Sequence, residues 1–150
     1  MVEKPLVLLA DDNEATCTLI TALLQNEFSV EIASNGNEAI EKLKARKFAA
    51  VLLDLLMPIA DGYAVLDFLS SERPDVLPRV LVVTASLSAA QMQRVRTYRI
   101  KGVVAKPFEV DALYGAVRDC ANQDSSHSMR GPLLASGMIL MLAAELVKRV

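Results

Sequence analysis

A chain of 150 residues is long enough for one domain with a core of its own. A formal net charge of −2 and a pI near 5.4 give no general reason to expect nucleic-acid binding, and 53% apolar against 23% charged residues is a globular mixture. Met1-Val2-Glu3-Lys4-Pro5 carries no targeting pattern, and two cysteines, Cys17 and Cys120, suit neither a metal site nor a disulfide framework, which points to free thiols in a reducing cytoplasm.

Residues 6–10 are an unbroken apolar run, the pattern of a strand buried on both faces. It ends in Asp11-Asp12-Asn13-Glu14, where Asn13 suits a helix N-cap and Glu14 the first turn. A helix to about residue 26 follows, with Ala15, Leu19, Ile20, Leu23 and Leu24 as its apolar stripe. Residues 28–33 alternate, so they predict a half-exposed strand near a sheet edge. Asn35-Gly36 is a turn, and residues 38–46 form a short helix with Ala39, Ile40 and Leu43 inward.

Ala49-Ala50-Val51-Leu52-Leu53 is again apolar without alternation and leads into Asp54. Pro58 cannot join a ladder and biases Met57 away from helix, so the chain turns just after Asp54. Asp61-Gly62 precedes a helix over about 63–71, which Arg73-Pro74-Asp75 ends. Residues 80–83 predict a fourth strand, closing at Thr84-Ala85-Ser86, and Ser88 caps a helix to about residue 99. Arg94, Arg96, Arg99 and Lys101 read as a solvated basic face. Val103-Val104-Ala105 is a brief fifth strand ending at Lys106-Pro107-Phe108, and a last helix runs over about 109–121. Five strand–helix alternations predict an α/β doubly wound parallel sheet. The domain occupies 1–121, a polar linker 122–132 contains the only histidine, His127, and an apolar C-terminal helix is expected over 133–150.

The carboxyl ends of the strands then offer Asp11 and Asp12, Asp54, Thr84 and Lys106 on one edge, where open α/β sheets keep their ligand sites. Three neighbouring carboxylates call for a divalent cation, and an all-oxygen set favours magnesium, with manganese as the alternative. Thr84 and Lys106 add phosphate partners, and a carboxylate becomes the candidate phosphoryl acceptor.

These residues resemble the response-regulator receiver domain of bacterial two-component systems: Asp11-Asp12, Asp54 with Met57-Pro58 and Asp61-Gly62, Thr84-Ala85, and Lys106-Pro107-Phe108. The resemblance covers about residues 5–121 and implies strand order 2-1-3-4-5. It implies that Asp54 accepts a phosphoryl group from a sensor histidine kinase, a histidine phosphotransfer protein or a small donor. Asp11, Asp12, Asp54 and the backbone carbonyl of Leu56 would hold magnesium. Thr84 and Lys106 would bind phosphoryl oxygens, with a cis peptide before Pro107, and output would pass to an unknown protein partner.

One position departs from the family: Val103 stands where many receivers carry a switch aromatic, and Tyr98 nearby reads as packing. The resemblance also makes Leu56 and Ser86 the positions that tune phosphoryl lifetime, and apolar Leu56 predicts slow self-dephosphorylation. Leu56 likewise argues against an aspartate-nucleophile phosphohydrolase, which needs an acid–base residue there. A flavodoxin-type cofactor site is opposed by the acidic first loop, which repels phosphate without a metal. The roughly 29 residues after Ala121 are too few for a DNA-binding domain, so no direct DNA contact is expected of this chain. Its apolar C-terminal helix is expected to dock on the domain or pair in a homodimer.

Overall fold

The apolar runs become five parallel strands: β1 (Leu6–Ala10), β2 (Ser29–Ala33), β3 (Ala50–Leu53), β4 (Val80–Thr84) and β5 (Gly102–Ala105), in spatial order β2-β1-β3-β4-β5. Between and after them run α1 (Glu14–Leu24), α2 (Gly36–Ala45), α3 (Gly62–Glu72), α4 (Ala89–Thr97) and α5 (Val110–Ala121). The computed structural model describes residues 3–85 and 87–122. Ser86, His127 and the expected C-terminal helix, with its docking or homodimer, lie outside the described residues. No helix among the described residues is long and apolar enough to cross a membrane.

Strand side chains alternate between two cores. Val7 and Leu9 of β1, Ala50 and Leu52 of β3, and Leu81 and Val83 of β4 pack under α1 and α5 with Ile20, Leu24, Leu113 and Val117. Leu8, Val51, Leu53, Val82 and Val103 point the other way, onto α2, α3 and α4 through Leu43, Val65, Leu66, Leu69 and Val95. Both faces being covered is why β1, β3, β4 and β5 lack alternation. At the edge, β2 is half-exposed as expected, but its burial does not alternate: Val30 and Glu31 are both half-buried and Ile32 is exposed, and Glu31 reaches Lys42 and Arg46 at the far end of α2.

Short polar residues cap four of the five helices at the strands' carboxyl edge, whereas α5 starts after Glu109 with no side-chain cap. Asn13, Asn35 and Asp61 accept from the backbone N–H groups of Thr16, Glu38 and Ala64 at 2.9–3.0 Å. Ser88 and Gln91 form a reciprocal capping box on α4. Such caps contribute about 0.5–2 kcal/mol each.

Four local expectations change. On α1 the buried stripe is Cys17, Ile20 and Leu24, whereas Leu19 is 49% exposed and Ala15 is exposed. The Cys17 thiol donates to the Asp11 carbonyl at 3.3 Å, which turns the helix so that Cys17 faces the sheet. A short 3-10 helix, Pro74–Arg79, fills the segment after α3. The fourth helix stops at Thr97. Lys101 is only 5% exposed, leaving the basic face to Arg94, Arg96 and Arg99. Its backbone N–H is held by the Val80 carbonyl at 2.9 Å, which carries it away from α4 to the start of β5.

Gly36 is required by close approach, because a Cβ there would lie 2.5 Å from the Ala60 carbonyl oxygen, whereas one at Gly115 in α5 meets nothing within 4 Å. In urea unfolding, Gly36→Ala should cost about 1–3 kcal/mol by overpacking. Gly115→Ala should add about 0.5–1 kcal/mol, the helix preference of alanine over glycine.

Candidate functional site

Neighbouring strands in register decide which carboxylates meet. β1 pairs with β3 with Ala10 opposite Leu53, so the next residues, Asp11 and Asp54, emerge side by side. The Asp54 N–H still bonds the Ala10 carbonyl at 2.9 Å and the Asp11 N–H the Ala33 carbonyl at 3.0 Å. Both are buried, while Asp12, one residue further on, is exposed. One carboxylate oxygen from each of the three lies within 4.8 Å of the others.

Each buried oxygen has a donor. Asp54 Oδ1 accepts from the Thr84 hydroxyl at 3.1 Å and the Leu56 N–H at 3.2 Å. Lys106 Nζ donates to Asp11 Oδ2 at 2.6 Å and to Asp54 Oδ2 at 3.4 Å. Asn13 N–H donates to Asp11 Oδ1 at 2.9 Å. Lys106 reaches the pair because its own N–H continues the β4–β5 ladder to the Thr84 carbonyl at 2.9 Å. The Lys106–Pro107 peptide is cis, as expected. Burial pushes the Lys106 ammonium toward deprotonation, but the two carboxylates outweigh it and its pKa stands above the ordinary 10.5.

Three carboxylates against one ammonium leave an excess of negative charge at an otherwise oxygen-only site. That donor set fits a hard divalent cation, and the buried Asp11–Asp54 pair with solvent-facing Asp12 leaves room for ligand waters. Beside it, the Leu56 side chain is 63% exposed and apolar, and Ile59 is exposed with φ 69, a strained conformation for a β-branched residue. Val103 is fully buried in β5, so the position where an aromatic was absent from the sequence is filled by core packing.

Three features of the site's surroundings had no separate sequence signal. The first is the close approach at Gly62: Asp61-Gly62, read as the residues before a helix, caps and opens α3, and a Cβ on Gly62 would lie 2.5 Å from the Asp54 carbonyl oxygen. Tyr63, the next residue, lies under the Arg94 guanidinium of α4, 3.8 Å from its ring centre. The Cys17 contact with Asp11 is the third, and alternating apolar and polar neighbours on α1 gave no hint of it.

Comparison with known proteins agrees with this fold. The response regulator receiver domain family matches residues 7–118. The chain belongs to that family, the receiver modules of two-component signalling. Among curated relatives, the "Probable transcriptional regulator ycf29" of Porphyra purpurea is 29% identical over 125 residues, covering 82% of this chain and 59% of that protein. The signal transduction histidine-protein kinase BarA of Escherichia coli is 31% identical over 109 residues, covering 72% of this chain and 12% of that protein. The chain thus spans under two thirds of each. A CheY-like receiver domain protein from Methanospirillum hungatei superposes with TM-score 0.76 at 21% identity, covering 83% of this chain and 99% of its own, which is a likeness of fold.

Two outcomes test the electrostatics. Because the Lys106 pKa is raised, its ion pair is fully present below 10.5 and is lost only as pH rises through the folded value. Lys106→Met should therefore cost about 1–3 kcal/mol of urea-unfolding stability at neutral pH, the same one unit of pH higher, and less above about 10.5. Burial, with Asp11 adding to it, pushes the Cys17 thiol up to about 11, and burial pushes Cys120 up to about 12. Both should react with a thiol reagent at neutral pH only after unfolding, because the thiolate is the reactive form.

Proposed function

We propose that this receiver is a phosphorylation switch in which Asp54 takes a phosphoryl group from a sensor histidine kinase or histidine phosphotransfer protein. Output then passes by protein–protein contact. The observation that carries this is the convergence of Thr84, Lys106 and the Leu56 N–H on the two oxygens of one buried carboxylate. The same residues that hold Asp54 now are placed to hold the oxygens of a phosphoryl group attached to it.

In the transfer, a carboxylate oxygen of Asp54 forms a bond to phosphorus as the donor's phosphorus–nitrogen bond breaks, and the electron pair leaves with the imidazole nitrogen. Asp11, Asp12, Asp54 and the Leu56 carbonyl would hold magnesium, or manganese in its place. Bound there, the cation supplies positive charge to the transferring oxygens. Lys106 Nζ, already between Asp11 and Asp54, donates to a phosphoryl oxygen without leaving its place. The Thr84 hydroxyl loses Asp54 Oδ1 as a carboxylate acceptor and turns to the new group.

Leu56 supports a switch rather than a phosphohydrolase. Its exposed apolar side chain stands beside the acceptor and offers no acid or base to an attacking water. With Ser86 as the other lifetime position, the phosphorylated state should persist. A cytoplasmic location suits a kinase-dependent module of this kind.

Incubation with acetyl phosphate and magnesium should add one phosphoryl group by intact mass, and Asp54→Asn should add none. The phosphorylated protein should decay over minutes or longer, and Leu56→Asn should shorten that lifetime about tenfold or more by placing a water-binding group at the acceptor. A wild-type half-life of seconds contradicts the role given to Leu56.

A further inference from the structure

The helix α4 is held less deeply than its neighbours. It fully buries one side chain, Val95, whereas α1 buries Cys17, Ile20 and Leu24, and α3 buries five residues from Gly62 to Leu69. Few buried apolar contacts mark an element that opens at low cost. Met92 and the Tyr98 ring pack partly against the same core, and a pair of polar contacts to α3 adds to them. The Tyr98 hydroxyl, at the C-terminal cap of α4, donates to the Asp67 carboxylate. One turn earlier on α4, Arg94 stacks on the ring of Tyr63 at 3.8 Å.

The other jaw is fixed. Gly62 is pressed against the Asp54 carbonyl, and its N–H bonds the Leu55 carbonyl at 3.0 Å, so the first turn of α3 cannot shift without moving the strand end that carries Asp54. Only four residues connect Thr84, whose hydroxyl bonds Asp54, to the start of α4. A change of acceptor at Thr84 therefore pulls directly on α4, while α3 stays in place. Tyr63 supplies a reason for a second state. The residue is 9% exposed, and among the described residues its buried hydroxyl has no hydrogen-bond partner, a cost that contact with water would relieve.

We propose that Tyr63 and Asp67 on α3, with Arg94 and Tyr98 on α4, form a clasp that holds α4 in the resting state and opens when Asp54 is modified. The clasp takes the place of an aromatic rotating at Val103, which is sealed in the core. This rests on Asp54 being the phosphoacceptor. Opening breaks the Tyr98–Asp67 bond and unstacks Arg94, freeing α4 and exposing the aromatic ring of Tyr63. No covalent step is involved, and the two states differ only in side-chain contacts and the position of α4.

The test uses the full chain, with beryllofluoride and magnesium as the probe, fluorine NMR to report binding, and hydrogen–deuterium exchange to report α4. In wild type the probe should raise exchange across 89–97 about threefold to tenfold, the effect of losing a charge-assisted hydrogen bond. Without the probe, Tyr98→Phe, Asp67→Ala and Arg94→Gln should each show raised exchange there and little further change when it is added. Tyr98→Phe and Asp67→Ala combined should do no more than either alone, since both remove the same bond. A bound-fluoride signal with unchanged α4 exchange in wild type, or variants that exchange like wild type, overturns the clasp. Absence of a bound-fluoride signal overturns the phosphoacceptor reading and the trigger with it, while the probe-free variants still decide whether these contacts hold α4. The three variants alter partly exposed side chains, and unchanged circular dichroism separates local opening from loss of the fold.

Discussion

Parallel pairing of β1 with β3 forces two carboxylates into contact, and much of the site's chemistry answers that crowding. Asp11 and Asp54 follow paired residues in register, so neither can move away without breaking a ladder bond to Ala33 or Ala10. Like charges this close raise one another's energy unless cations and donors answer them. Lys106 supplies one cation, the backbone and Thr84 supply donors, and the negative charge left over suits a hard divalent cation. Repulsion that would be a defect in a structural core is the property on which the proposed cation site and phosphoacceptor role rest.

Much of the frame was legible because both faces of the sheet are covered. Unbroken apolar runs at residues 6–10, 50–53 and 80–83 have no other economical reading than buried parallel strands, and the alternation of β2 marked it as the edge. The site was legible for a related reason. Polar residues directly after such runs must lie along one edge of the sheet, so Asp11, Asp54, Thr84 and Lys106 could be grouped before any distance was known.

What was not legible depends on rotation and on long-range contact. The stripe of α1 was misplaced because Leu19 and Leu23 are more apolar than Cys17, but helix rotation follows the Cys17–Asp11 contact. Lys101 looked like a member of a basic face, and only its tie to Val80 shows that it belongs to the start of β5. The contacts of Arg94 with Tyr63 and of Tyr98 with Asp67 join helices whose relative placement no local pattern encodes.

The ion pair between Lys106 and Asp11 also bears on when the site comes into being. Its partners are 95 residues apart in sequence, and such distant pairings form late, because chain closure costs entropy before any contact repays it. Nascent or partly unfolded chains that have β1 through β4 but not β5 hold the three carboxylates without their ammonium. Assembly of the carboxylate–ammonium cluster thus waits on the last strand, and a chain caught midway through synthesis carries it unfinished.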